Sequence, residues 1–143
     1  MSEMSDVSRR VRAAIEQATL DSADRRARVE RDGDQARAFL ESTAVPVLRQ
    51  FAAVLKSEGF LFRLSTPAGA VRLASESRHD DFIDFAVDTS RDPVTISTTV
   101  SHIRGKRVDT TEQPLRPGVE IDRLTDEDVL EFLIGTIPIF VVR

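Results

Sequence analysis

The sequence predicts an α+β fold: N-terminal helices, an antiparallel meander sheet of four to five strands and a C-terminal helix, with the helices packed on one sheet face. Three observations carry that reading. Before Gly59 the apolar residues recur at helical spacing (Phe39, Leu40, Val47, Leu48, Phe51, Ala52, Leu55). After it, Phe60, Phe62 and Leu64 occupy alternate positions, as in a strand with one buried face. Near the C-terminus a helical stripe returns, with Val129, Leu130, Leu133, Ile134 and Ile137.

The first helix is expected over residues 7–31, with Ser5 or Asp6 as N-cap and Val7, Val11, Ala14, Ile15 and Ala18 as its apolar stripe. Beyond Leu20 the stripe thins. Ten of the seventeen residues from Asp21 to Arg37 are charged, five of each sign. Pairs such as Asp21 with Arg25 and Asp24 with Arg28 stand at i,i+4, where each supports a helix by a few tenths of a kcal/mol. The segment therefore reads as a solvated helix, and its own a/d pattern is too short for a long coiled coil. Gly33 costs a helix about 1 kcal/mol relative to alanine and predicts a break. Residues 1–33 are accordingly expected to form a helical arm, and 34–143 a single α+β domain.

A second helix from Gln35 to Ser57 carries the stronger stripe and should provide the core contact. Pro46 inside it predicts a kink or restart at Ser42–Val45, with Ser42 or Thr43 as the new cap. Gly59 suits the position just past its end. Strands follow at Phe60–Ser65 and Ala70–Ser75 around a Pro67–Gly69 turn, then at Phe82–Asp88 and Val94–Ile103. Val108–Thr111 is expected as a short edge strand. Thr125 followed by Asp126, Glu127 and Asp128 predicts a capped helix start, which Pro138 should end. The expected core joins Phe39, Leu40, Val47, Leu48, Phe51 and Leu55 to Phe60, Phe62, Leu64, Leu73, Ile83, Phe85 and Val87, and to Leu130, Leu133 and Ile134.

Composition narrows function without naming it. The 143-residue chain carries a net charge of −4 and has no cysteine, which excludes disulfides, thiolate nucleophiles and cysteine metal sites. Residues 1–58 hold ten basic and ten acidic side chains, and residues 59–143 hold ten against fourteen. That balance disfavours nonspecific nucleic-acid binding. With no leader-like or membrane-spanning run in the sequence, a cytoplasmic location without membrane association is the expectation. No cofactor-binding or metal-binding motif is present, so neither is expected.

Three functional readings remain. The first is a noncatalytic interaction or adaptor module, self-associating as a homodimer or binding another protein, with interface residues Val7, Val11, Ile15 and Ala18 on the first helix and Ile139, Phe140 and Val142 at the apolar C-terminus. The second is a small-molecule or peptide binder with a pocket between sheet and helices. Arg63 or Arg72 would anchor its ligand, and Arg104 and Arg107 form a compact basic spot suited to an anion. The third is a small hydrolase-like enzyme working through His79 with Asp80 or Asp81. No catalytic residue is assigned, because no nucleophile stands at a recognisable spacing from either histidine.

Overall fold

The computed structural model of the chain describes residues 3–142. Two helices, five strands and a C-terminal helical pair follow one another in the predicted order. Helix α1 spans Glu3–Phe39, and α2 spans Val45–Ser57. Strands β1 (Phe62–Ser65), β2 (Val71–Ser75), β3 (Phe82–Asp88), β4 (Thr95–Arg104) and β5 (Arg107–Pro114) come next. Helices α3 (Asp126–Thr136) and α4 (Pro138–Val141) close the chain. The sheet order is β1-β2-β3-β4-β5, every neighbour antiparallel, so each strand pairs with the next in the chain.

Parity along the strands divides the sheet into two faces. Leu73, Ile83, Phe85, Ile96 and Thr98 lie on one face and are fully buried beneath the helices. Arg63, Arg72, Asp84, Ser97 and Thr99 lie on the other, which is polar and open. Leu48 of α2, with Val129 and Leu133 of α3, completes the core from the helical side.

Between α1 and α2 the predicted disturbance is a π-helical turn at Leu40–Ala44, in which the Val45 amide reaches back to the Leu40 carbonyl. Pro46 has no amide hydrogen and its ring crowds the carbonyl four residues back, so a widened turn before it accommodates the proline without ending the helix. Neither Ser42 nor Thr43 caps a new helix. Ser42 instead donates its hydroxyl to the Ala38 carbonyl at 2.6 Å.

Gly33 does not break α1. The helix runs through it to Phe39, and Gly33 is buried. What changes there is burial: Ala36, Phe39 and Leu40 enter the core, and packing outweighs the propensity cost that predicted a break. The arm and the globular domain are therefore one continuous helix on the α1 side. Two further expectations need correction. The edge strand β5 is eight residues long, because its backbone pairing with β4 continues past Thr111 through Glu112 and Gln113 to Pro114 opposite Ser97. Ile134 is 56% exposed and takes no part in the core, since α3 turns Val129 and Leu133 inward instead.

Helix α3 starts as its sequence specifies. Thr125 and Asp128 form a reciprocal capping box, in which the Asp128 carboxylate accepts the Thr125 amide at 2.8 Å while Thr125 Oγ1 accepts the Asp128 amide at 3.4 Å. Arg116 donates to the other oxygen of Asp128 at 3.2 Å, tying the preceding loop to the helix start. Pro138 stops α3, but the chain takes one further helical turn as α4.

Among the described residues the helical run Glu3–Ser57 is long and apolar enough, by length and composition alone, to be a candidate membrane span. Phe39, Leu40, Ala44, Leu48 and Leu55 of this run are core residues of the α+β domain.

Candidate functional site

Two places in the fold hold groups that the packing of the domain does not use. The first is the arm. From Glu3 to Arg28 every residue of α1 is exposed except half-buried Asp6, so about 39 Å of helix, at 1.5 Å per residue, extends past the domain. Asp6 is held by Arg9 and Arg10, at 3.0 and 3.2 Å. At about 100° per residue, Met4, Val7, Val11, Ala14, Ile15 and Ala18 fall within one sector roughly 100° wide. Leu20 lies on the opposite side. Val7, Val11 and Ile15 are each more than half exposed. At its base the arm is braced by Arg28, which donates to Asp92 at 3.0 Å, and by half-buried Val29 against the core.

The second is a groove of about 570 Å³ where the core face of β4 and β5 runs out beyond the helices. Val100, Pro138, Ile139 and Val142 give it apolar walls, and His102, Arg104, Asp109 and Thr111 supply polar groups. His102 projects from the core side of β4 and packs edge-on against Phe140, with ring centroids 5.4 Å apart. Its Nδ1 is fully buried without a hydrogen-bond partner. Asp81 Oδ1 lies 3.4 Å from that nitrogen and accepts the Ile103 amide at 2.8 Å. The buried carboxylate thus faces one edge of the imidazole and leaves the other toward the groove.

The residues singled out from sequence separate in the structure. Arg63 and Arg72 stand on the open face, away from the groove. Arg63 is 3.5 Å from Glu76. Arg72 is committed: it donates twice to Asp84, at 2.7 and 2.8 Å, and its guanidinium stacks 3.8 Å above the Phe82 ring. The hydrogen bonds to Asp84 hold its pKa above the usual arginine value. Arg104 and Arg107 oppose each other across the two-residue turn at Gly105 and Lys106, where Gly105 takes φ +62°. The basic spot is therefore a hairpin end, with Arg104 also 3.8 Å from Asp109 and lining the groove.

His79 and Asp80 are exposed in the turn before β3, whereas Asp81 is buried and turned toward His102. Sequence adjacency had joined Asp81 to His79. The β3–β4 pairing joins it to His102 instead, a neighbour that no linear spacing reveals. At the C-terminus, Phe140 packs against Phe62 with ring centroids 5.8 Å apart, while Ile139 and Val142 remain exposed. Among the described residues no group of three or more histidines and carboxylates is placed to hold a metal ion. Compared with known proteins, the chain matches no family model, no curated protein and no solved structure.

Proposed function

We propose that the chain is a noncatalytic protein–protein interaction module that self-associates through the N-terminal arm. One observation carries this reading: Met4, Val7, Val11, Ala14, Ile15 and Ala18 form an apolar stripe on a helix that meets nothing of its own domain before Arg28. Most helical stability in proteins comes from packing an apolar face and not from propensity alone. A second surface covering that face would supply the missing packing.

Light scattering on the eluting full-length chain tests the proposal, with Val11→Glu as the comparison. Mass rising toward a dimer with concentration for the natural sequence, and a monomer for the variant, is the expected pair. A natural chain that stays monomeric at all concentrations would defeat the reading.

A second reading is a small-molecule site in the β4–β5 groove, and His102 favours it. A buried imidazole nitrogen facing a buried carboxylate leaves the outer nitrogen as an oriented hydrogen-bonding group above apolar walls, an arrangement suited to a ligand with an apolar body and one polar end. Thermal-shift screening of the natural chain beside His102→Phe tests it. Ligands that stabilise only the natural chain support the groove, and equal shifts in both place binding elsewhere. The hydrolase alternative is not favoured, since the Asp81 carboxylate lies against His102 and accepts the Ile103 amide while His79 stands exposed.

A further inference from the structure

We infer that the arm's partner is the arm of a second copy of this chain, laid antiparallel, with the two-fold axis crossing between Arg12 and Ala13. The inference rests on the self-association reading and adds direction and register to it.

The stripe follows heptad spacing over its first turns: Met4, Val11 and Ala18 take one core position, and Val7 and Ala14 the other. Both series then run into charge. Asp21, Arg25 and Arg28 occupy the next core positions in turn. A parallel pair in register would stack Asp21 on Asp21 and Arg25 on Arg25 within the seam. Each is a like-charge juxtaposition. It would also stack valine on valine and then alanine on alanine, so the helices would have to change separation along the seam.

The antiparallel register removes both conflicts. Val7 faces Ala18 of the other arm, and Val11 faces Ala14, so every central layer opposes one large and one small side chain and the spacing stays uniform. Asp21 falls opposite Met4 at the end of the overlap, where its carboxylate reaches water. Arg25 and Arg28 lie past the other arm's N-terminus, leaving Arg28 to its ion pair with Asp92. The helix dipoles, side by side in opposite directions, also attract. The two α+β domains then lie at opposite ends of the pair, with the Glu30 positions roughly 50 Å apart at 1.5 Å per residue.

The absence of cysteine from the chain makes the register directly readable. Single variants V7C, A18C, V11C and A14C each alter an exposed arm position, so the domain's packing is left alone. Mixed under oxidising conditions, V7C with A18C and V11C with A14C should form cross-linked heterodimers, while V7C alone should stay uncross-linked. Spin labels on E30C should report a separation near the long value above. Efficient V7C homodimers, or a short E30C distance, would establish parallel pairing and overturn the inference. A dimer by light scattering that gives neither heterodimer would overturn the register. A monomer by scattering would instead defeat the underlying self-association reading, so the two failures are told apart by the same samples.

Discussion

Asp81 and His102, twenty-one positions apart in sequence, meet behind the core end of β4 with 3.4 Å between carboxylate oxygen and imidazole Nδ1. The carboxylate is also the acceptor for the partly buried Ile103 amide at 2.8 Å. Removing that acceptor strands a backbone donor, at a cost of about 1–3 kcal/mol. Asp81→Ala should therefore lower the free energy of unfolding by that amount, measured by chemical denaturation. Asp81→Asn retains an oxygen for the amide and should lose much less. Equal losses in both variants would mean that the negative charge beside His102, and not the acceptor, is what matters.

Gly33 lies inside a continuous helix at a buried position, and its φ is ordinary for a helix. A methyl group built there would sit 3.5 Å from Thr89 Cγ2 and 3.6 Å from the Arg37 guanidinium, ordinary van der Waals distances. Alanine gains up to about 1 kcal/mol over glycine in a helix interior. Gly33→Ala should raise the denaturation midpoint. A fall would show that α1 requires a closer approach to Thr89 than a side chain permits.

The architecture was legible because its signals are local. The period change at Gly59, the capping set at Thr125 and Asp128 and the Pro46 disturbance each depend on residues within one or two turns of one another. Gly33 was misread for the same reason, since the helix persists there through Ala36 and Phe39, whose burial depends on strands much later in the chain. The arm stripe of Val7, Val11, Ile15 and Ala18 was visible as periodicity, and the charge-rich stretch after Leu20 set it apart as an arm. The Asp81–His102 approach was invisible, because it is created by strand register across the β3–β4 connection. Arg72 looked like a free anchor for a comparable reason: its partner Asp84 lies on the neighbouring strand.

Leu133 and Ile134 are adjacent residues of α3 with opposite surroundings. Leu133 has no solvent exposure, whereas Ile134 is 56% exposed. Truncating a buried leucine costs about 2–5 kcal/mol through lost transfer energy and a residual cavity. Leu133→Ala should fall in that range by urea denaturation, and Ile134→Ala should stay within about 0.5 kcal/mol of the natural chain, as exposed substitutions do. A large loss at Ile134 would reveal a covering surface contributed by another molecule.

Thr125 holds the start of α3 by accepting the Asp128 amide, and Asp128 answers by accepting the Thr125 amide. Thr125→Ala removes one half of this exchange and should cost about 1 kcal/mol. Thr125→Ser keeps the hydroxyl and should be nearly neutral. If serine and alanine destabilise equally, the methyl group and not the cap bond is responsible.

Asp88 ends β3 with a carboxylate that accepts both the Ser90 hydroxyl and, at 2.9 Å, the Ser90 amide. The hydroxyl hydrogen bond is the main cause that holds its pKa below the usual aspartate value, against the opposing effect of burial, with the amide and nearby Arg91 adding to it. A carboxyl depressed in the folded state favours folding at pH above its unfolded value, and that contribution disappears as pH falls through the lower folded value. Ser90→Ala deletes the hydroxyl donor and raises the folded value toward the ordinary one. The variant should be less stable than the natural chain at neutral pH, and the gap should close on strong acidification, where Asp88 is protonated in both states. Denaturation curves across that range decide it. A gap that persists unchanged at low pH would show that Ser90 acts through the shape of the β3–β4 connection and not through the Asp88 charge.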